Sequence, residues 1–145
     1  MKAFIPHMIK RKYGRILNMS SVTGPRVVDP GMMGYAMSKG AISAFTKAIA
    51  MDVAKYGITS NAILPGYFLT PMVMHSAQET DPKNPQRVLD ASPPGSLWAA
   101  LASRRRSAIC RLPASDEAAY FTGQEFVIDG GAGLPETNSM GVVND

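Results

Sequence analysis

Three short apolar runs set around one long helix-periodic stretch restrict the fold of this chain more than any other feature. Gly14-Arg15-Ile16-Leu17-Asn18-Met19-Ser20-Ser21 reads as a strand, 15–19, that ends in hydroxyls. Asn61-Ala62-Ile63-Leu64-Pro65-Gly66, with Thr70 four residues on, reads as a second strand, 58–64, running into a tight loop. Phe121-Thr122-Gly123-Gln124-Glu125-Phe126-Val127-Ile128-Asp129-Gly130-Gly131 reads as a third, 125–128, closed by a glycine turn. Between the first two lies the longest helix, about 34–56, where Ala41, Ile42, Phe45, Ile49, Val53 and Tyr56 recur at helical spacing. Gly57 is a natural cap for it, and the next strand follows almost at once, as in a parallel sheet. The pattern predicts an α/β fold with three parallel strands and covering helices.

The flanks fit this frame. Residues 2–12 read as the end of a helix, with Lys10, Arg11 and Lys12 in the last turn and Gly14 as its stop. A loop with Gly24, Pro25, Pro30 and Gly31 leads into the long helix. Residues 71–90 read as a short helix and a polar loop, Asp81-Pro82-Lys83-Asn84-Pro85. The long helix is apolar on more than one side, since Ala44, Ala48 and Met51 lie off the main stripe. It is either a buried core helix or one that also meets a partner.

With 46% apolar and 18% charged residues, the 145-residue chain has the composition of one globular domain. A lone cysteine, Cys110, excludes an internal disulfide and suits a reducing compartment. The opening Met1-Lys2-Ala3-Phe4-Ile5-Pro6-His7 lacks the apolar core of a signal peptide, and no run is long enough to span a bilayer. A cytoplasmic, non-membrane protein is the expectation. The net charge of +4 is matched by Arg104, Arg105, Arg106 and Arg111, so no basic stripe points to nucleic acid. His7 and His75 have no Cys, Asp or Glu at ligand spacing, and no metal site is expected.

The chemistry concentrates in Ser21, Tyr35 and Lys39. Tyr35 and Lys39 are four apart, so on a helix they share one face. An ammonium held beside a phenol favours the phenolate, and such a group can pass a proton to or from a substrate oxygen. A serine hydroxyl can hold that oxygen as its charge changes. Standing alone, Tyr-x-x-x-Lys is a weak signal and reads first as a solvated helix face.

In this order the pieces resemble the C-terminal half of the short-chain dehydrogenase/reductase family, over residues 1–90 and 114–140. The resemblance implies a partial Rossmann-like, doubly wound parallel sheet and an oxidoreductase that moves a hydride between NAD or NADP and an alcohol or carbonyl carbon. It implies Tyr35 as acid/base, Lys39 as the residue that favours its phenolate and holds the nicotinamide ribose, and Ser21 as the holder of the substrate oxygen. Pro65 and Gly66 would bend the chain so that Phe68 and Thr70 reach the nicotinamide carboxamide. It also implies a homo-oligomer formed through the 34–56 helix. Each residue has a plain alternative: Ser21 as a strand-end cap, Pro65-Gly66 as a turn, Thr70 as the N-cap of a helix begun by Pro71. Ser21 and Tyr35 are one residue further apart than is commonest in the family, and Ser20 is the second choice. The glycine-rich phosphate loop is nowhere in the sequence, and neither are the upstream Asn-Asn-Ala-Gly segment and the helix asparagine of the family. The chain reads as half an enzyme, inactive alone.

Residues 91–113 break the pattern. Shifting the frame of plausible codons for Gly95 to Ile109 gives Ile-Pro-Leu-Gly-Arg followed by a Pro-Glu-Glu helix start, as relatives have. A local frameshift, restored near Ala114, therefore accounts for the arginine cluster. The competing readings are a genuine basic loop, making the chain a small binding module, and a non-catalytic fragment of a disrupted gene.

Overall fold

A computed structural model describes residues 3–68, 70–90 and 111–134. Helix α1 (Ile5–Arg11) is followed by strand β1 (Gly14–Met19), helix α2 (Met33–Val53) and strand β2 (Ile58–Pro65); helices α3 (Pro71–Thr80) and α4 (Pro85–Asp90) and strand β3 (Glu125–Ile128) complete the order. The chain divides into two compact units, Met1–Leu64 with Ile109–Val127, and Pro65–Ala108 with Ile128–Asp145. The strands form one sheet in the order β1-β2-β3. β1 runs parallel to β2, from Gly14 opposite Ile58 to Met19 opposite Ile63. β3 advances in the same sense, with Ala62 N–H donating to the Gln124 carbonyl and Gly66 N–H to that of Ile128. The expected α/β architecture is thus present. Among the described residues no helix is long and apolar enough to cross a membrane.

β2 is central and buried from Ile58 to Leu64, which is why it tolerates so few exposed side chains. In the first unit Ile16, Ile49, Val53 and Ile58 form a cluster on which Ile5, Met8, Ile9 and Tyr56 pack. Asn61 is fully buried, and a buried amide must be paired. Its Nδ2 donates to the Phe121 carbonyl at 2.8 Å and its Oδ1 accepts from Gln124 N–H at 3.1 Å, tying β2 to the approach of β3.

Two local expectations are corrected. The left-handed residue closing α1 is Lys12 (φ 50°), not Gly14, which instead opens β1; a Cβ on Gly14 would lie 2.6 Å from the Met8 sulfur. The buried face of α2 carries Ser43, Thr46, Ile49, Ala50 and Val53, whereas Ala41 and Phe45, members of the main helix-periodic stripe, face outward. A helix apolar nearly all round does not select a face by hydrophobicity. Here the inward hydroxyls are satisfied: Thr46 donates to the Ile42 carbonyl at 2.8 Å and accepts from Asn18 Nδ2 at 2.9 Å. Gly57, at φ 72°, caps the short 3-10 turn that ends the helix, as expected.

In the second unit residues 71–90 form two helices. Asp81 joins them by accepting from Lys83 N–H and Asn84 N–H and pairing with Arg87 at 3.1 Å, while Asn84 Oδ1 caps α4. Residues 91–110 of the aberrant segment lie outside the described residues; Arg111 to Ala114 form a 3-10 turn.

Glu125 fastens the first unit at the start of β3. Its carboxylate, 11% exposed, meets Lys47 of α2 at 2.9 Å and Arg26 of the preceding loop at 3.1 Å. The hydrogen bond from Lys47 holds the carboxyl below its ordinary value of 4.5. A lowered folded value means the contribution is complete above that ordinary value and is lost as pH falls below it. Because both cationic partners are more than half exposed, Glu125→Gln is expected to cost about 1 kcal/mol at neutral pH. In urea titrations this difference should vanish in acid; a constant difference across pH would contradict the ion-pair origin.

Candidate active site

The end of β1 and the start of α2 carry the candidate residues of the first unit. β1 ends at Met19, and Ser20 N–H continues the ladder onto the Ile63 carbonyl at 2.9 Å. The chain then turns: Ser21 Oγ accepts from Thr23 N–H at 3.1 Å, and Gly24 N–H donates to the Val27 carbonyl at 2.7 Å. Ser21 is 8% exposed, and among the described residues its hydroxyl donates no hydrogen bond. The cap-like role expected as its plain alternative is therefore present and leaves the hydroxyl hydrogen available.

Gly24 sets this turn against α2. Its φ is +111°, and a Cβ there would lie 2.5 Å from the carbonyl oxygen of Ala36, the residue after Tyr35. Backbone at that distance cannot yield as a flexible side chain can. Gly24→Ala is expected to lower the unfolding free energy by about 1–3 kcal/mol, measured by urea denaturation. A midpoint equal to that of the parent protein would contradict the close approach.

Tyr35 and Lys39 occupy the first turns of α2 on one face. Lys39 Nζ lies 5.6 Å from the Tyr35 ring centroid, within the range of a cation–π contact, and donates to the Met19 carbonyl at 3.1 Å. Tyr35 is 41% exposed, and its hydroxyl makes no hydrogen bond to another described residue. A proton-donating phenol open to solvent, with an ammonium beside it, is chemically equipped for acid/base work on a bound oxygen.

The two serines differ in a way the sequence leaves open. Ser20 is 3% exposed and donates to the Lys39 carbonyl at 2.8 Å, so its hydroxyl hydrogen is committed within the protein. Ser43, not singled out from the sequence, places its hydroxyl 3.2 Å from Ser20 Oγ. Its position four residues after Lys39, on the same helix face, was the available signal.

In the second unit, Pro65 ends β2 and Gly66 N–H bonds the Ile128 carbonyl at 2.9 Å. Gly66 admits no side chain: a Cβ would lie 2.7 Å from that of Asp129. Asp129 in turn accepts from Gly131 N–H and Gly133 N–H, both at 2.9 Å, which fixes the glycine turn after β3. Phe68 is partly buried. Thr70 is the N-cap of α3, its Oγ1 accepting from Val73 N–H at 3.3 Å, with Pro71 opening the helix. No group of His, Cys, Asp and Glu among the described residues could hold a metal ion.

Residues 1–133 match the family described as enoyl-(acyl carrier protein) reductase. Oxidoreductase UcpA of Salmonella typhimurium is 47% identical over 97% of this chain and 54% of its own length. Dehydrogenase/reductase SDR family member 6 of Rattus norvegicus is 37% identical over 92% of this chain and 54% of its own. The ligand-free structure of the aldohexose dehydrogenase of Thermoplasma acidophilum superposes with a TM-score of 0.81 at 28% identity, covering 90% of this chain and 52% of that one. The chain spans about half the length of the curated relatives it matches.

Proposed function

Because the chain belongs to the short-chain dehydrogenase/reductase family, we propose that it supplies the proton-transferring, nicotinamide-facing half of an oxidoreductase acting on an alcohol or carbonyl carbon. The observation that carries this reading is the Lys39 ammonium held 5.6 Å from the centre of the Tyr35 ring, at the end of β1 beside the turn that bears Ser21. NAD or NADP, when bound, supplies or accepts the hydride. Tyr35 gives its phenolic proton to the substrate oxygen in reduction and takes it back in oxidation. Lys39 keeps its positive charge beside the phenol and binds the nicotinamide ribose, and Ser21 donates its free hydroxyl hydrogen to the substrate oxygen. Pro65, Gly66, Phe68 and Thr70 line the carboxamide end of the cofactor, and the capping role of Thr70 is compatible with this.

The residues present suit only that end of a dinucleotide. A pyrophosphate needs a glycine-rich loop opening a helix, and the sequence contains none. The half-length match, with 91–113 read as out of frame, favours a second reading in which the chain as it stands is catalytically silent. Coding DNA upstream that specifies a Thr-Gly-rich βαβ segment in another frame would separate both readings from that of a small basic binding module. The outward face of α2, with Met37 and Met51 more than 70% exposed and Phe45 about half exposed, suits a homo-oligomer through this helix.

The test is a joined protein: the N-terminal half of Salmonella typhimurium UcpA fused ahead of residues 1–145, assayed with NAD(P)(H) against alcohols and carbonyl compounds. Cofactor-dependent turnover is expected. A folded joined protein that binds cofactor yet turns over nothing on which UcpA itself is active would contradict the proposal.

A further inference from the structure

We propose that Ser20, steadied by Ser43, is a positioning residue that locks Lys39 onto the end of β1; the inference rests on the role just given to Lys39. Lysine has a long, flexible stem, so a lysine that must serve both a phenol and a ribose needs its main chain and its tip fixed. Both ends are held by adjacent residues. The tip donates to the Met19 carbonyl at 3.1 Å, and the Lys39 carbonyl accepts from Ser20 Oγ at 2.8 Å. A carbonyl inside a helix already accepts from the amide four residues on, which here is Ser43. The Ser20 hydroxyl uses its second lone pair.

Ser43 completes the arrangement. Its hydroxyl, on a residue 4% exposed, lies 3.2 Å from Ser20 Oγ and also reaches the Glu125 carboxylate, which ties Ser20 to the ion-paired start of β3. Ser20 is meanwhile anchored to β2 through its N–H, at 2.9 Å from the Ile63 carbonyl. A buried chain of hydroxyls thus runs from α2 to the end of β1 and back to the backbone of Lys39. Neighbouring serines divide the work: Ser21 keeps a free hydrogen for substrate, and Ser20 spends its own on the lysine.

Competitive acetylation of the joined protein by acetic anhydride, read by mass spectrometry with Lys47 and Lys55 as internal standards, tests this without relying on turnover. A tethered, partly covered ammonium is less open to the reagent than a freed one. Ser20→Ala should raise Lys39 labelling relative to both standards, lower kcat and raise the cofactor KM, each by about tenfold, the size of one lost hydrogen bond. Ser43→Ala should raise Lys39 labelling less, and add nothing when Ser20 is already alanine. Ser20→Thr, which keeps the hydroxyl, should restore the parent ratio. An unchanged ratio in Ser20→Ala overturns the proposal, even if the variant melts earlier. If Ser20→Ala does not fold, an unchanged ratio in Ser43→Ala overturns it instead. Turnover retained by Tyr35→Phe would defeat the catalytic reading and leave the labelling result standing.

Discussion

Residues 1–145 as an isolated polypeptide are expected to bind NADH and NADPH weakly or not at all. Much of the grip on a dinucleotide comes from its pyrophosphate, taken at a helix N-terminus by a glycine-rich loop. That loop is absent from the sequence, and the roles proposed above for Lys39, Tyr35 and the residues from Pro65 to Thr70 serve only the nicotinamide end. The same polypeptide is expected to pack poorly. β1 lies at an edge of the sheet, with its outer backbone groups unpaired by any described strand. Each large apolar side chain left in water forfeits about 1.5–3 kcal/mol. A domain is stable by only about 5–15 kcal/mol, so a few such losses abolish cooperative folding. Titration calorimetry and near-ultraviolet dichroism check both points. Micromolar affinity for either cofactor, or a monomer with a sharp melt, would contradict them.

Tyr35→Phe in the joined protein is expected to lower kcat by about 10²–10⁴-fold, the range of a single general acid/base group, with cofactor KM nearly unchanged. The substitution removes one oxygen and keeps the ring over which the Lys39 ammonium lies. Lys39→Ala should damage both constants, because it removes the cation beside the phenol and the hydrogen bond to the Met19 carbonyl. Steady-state kinetics separate the two patterns. If Tyr35→Phe kept most of its activity, the proton would have to come from elsewhere.

The strands were legible because each is a short apolar run closed by hydroxyls or glycine, and β1, β2 and β3 fall within a residue of where those runs place them. Thr70 was legible for a similar reason: a threonine before proline is a helix start, and it caps α3. The orientation of α2 was not. Its outward Phe45 and Met51 are as apolar as its inward Ile49 and Val53, so the face is decided by hydroxyl partners that no periodicity shows. Lys12 closes α1 in a left-handed conformation that a sequence reader assigns to glycine first. The choice between Ser20 and Ser21 could not be made from spacing alone. It rests on which hydroxyl meets Lys39 across the fold, a contact between residues nineteen apart in sequence.

Single-turnover consumption of NAD(P)H by the joined protein, at saturating cofactor and carbonyl substrate, is the most direct test of Tyr35 as proton donor. The parent and Tyr35→Phe should bind cofactor equally in a parallel fluorescence titration. The parent should then consume the bound NAD(P)H in one fast phase, and Tyr35→Phe should leave it almost untouched on the same timescale. Equal rates in the two proteins would contradict the assignment.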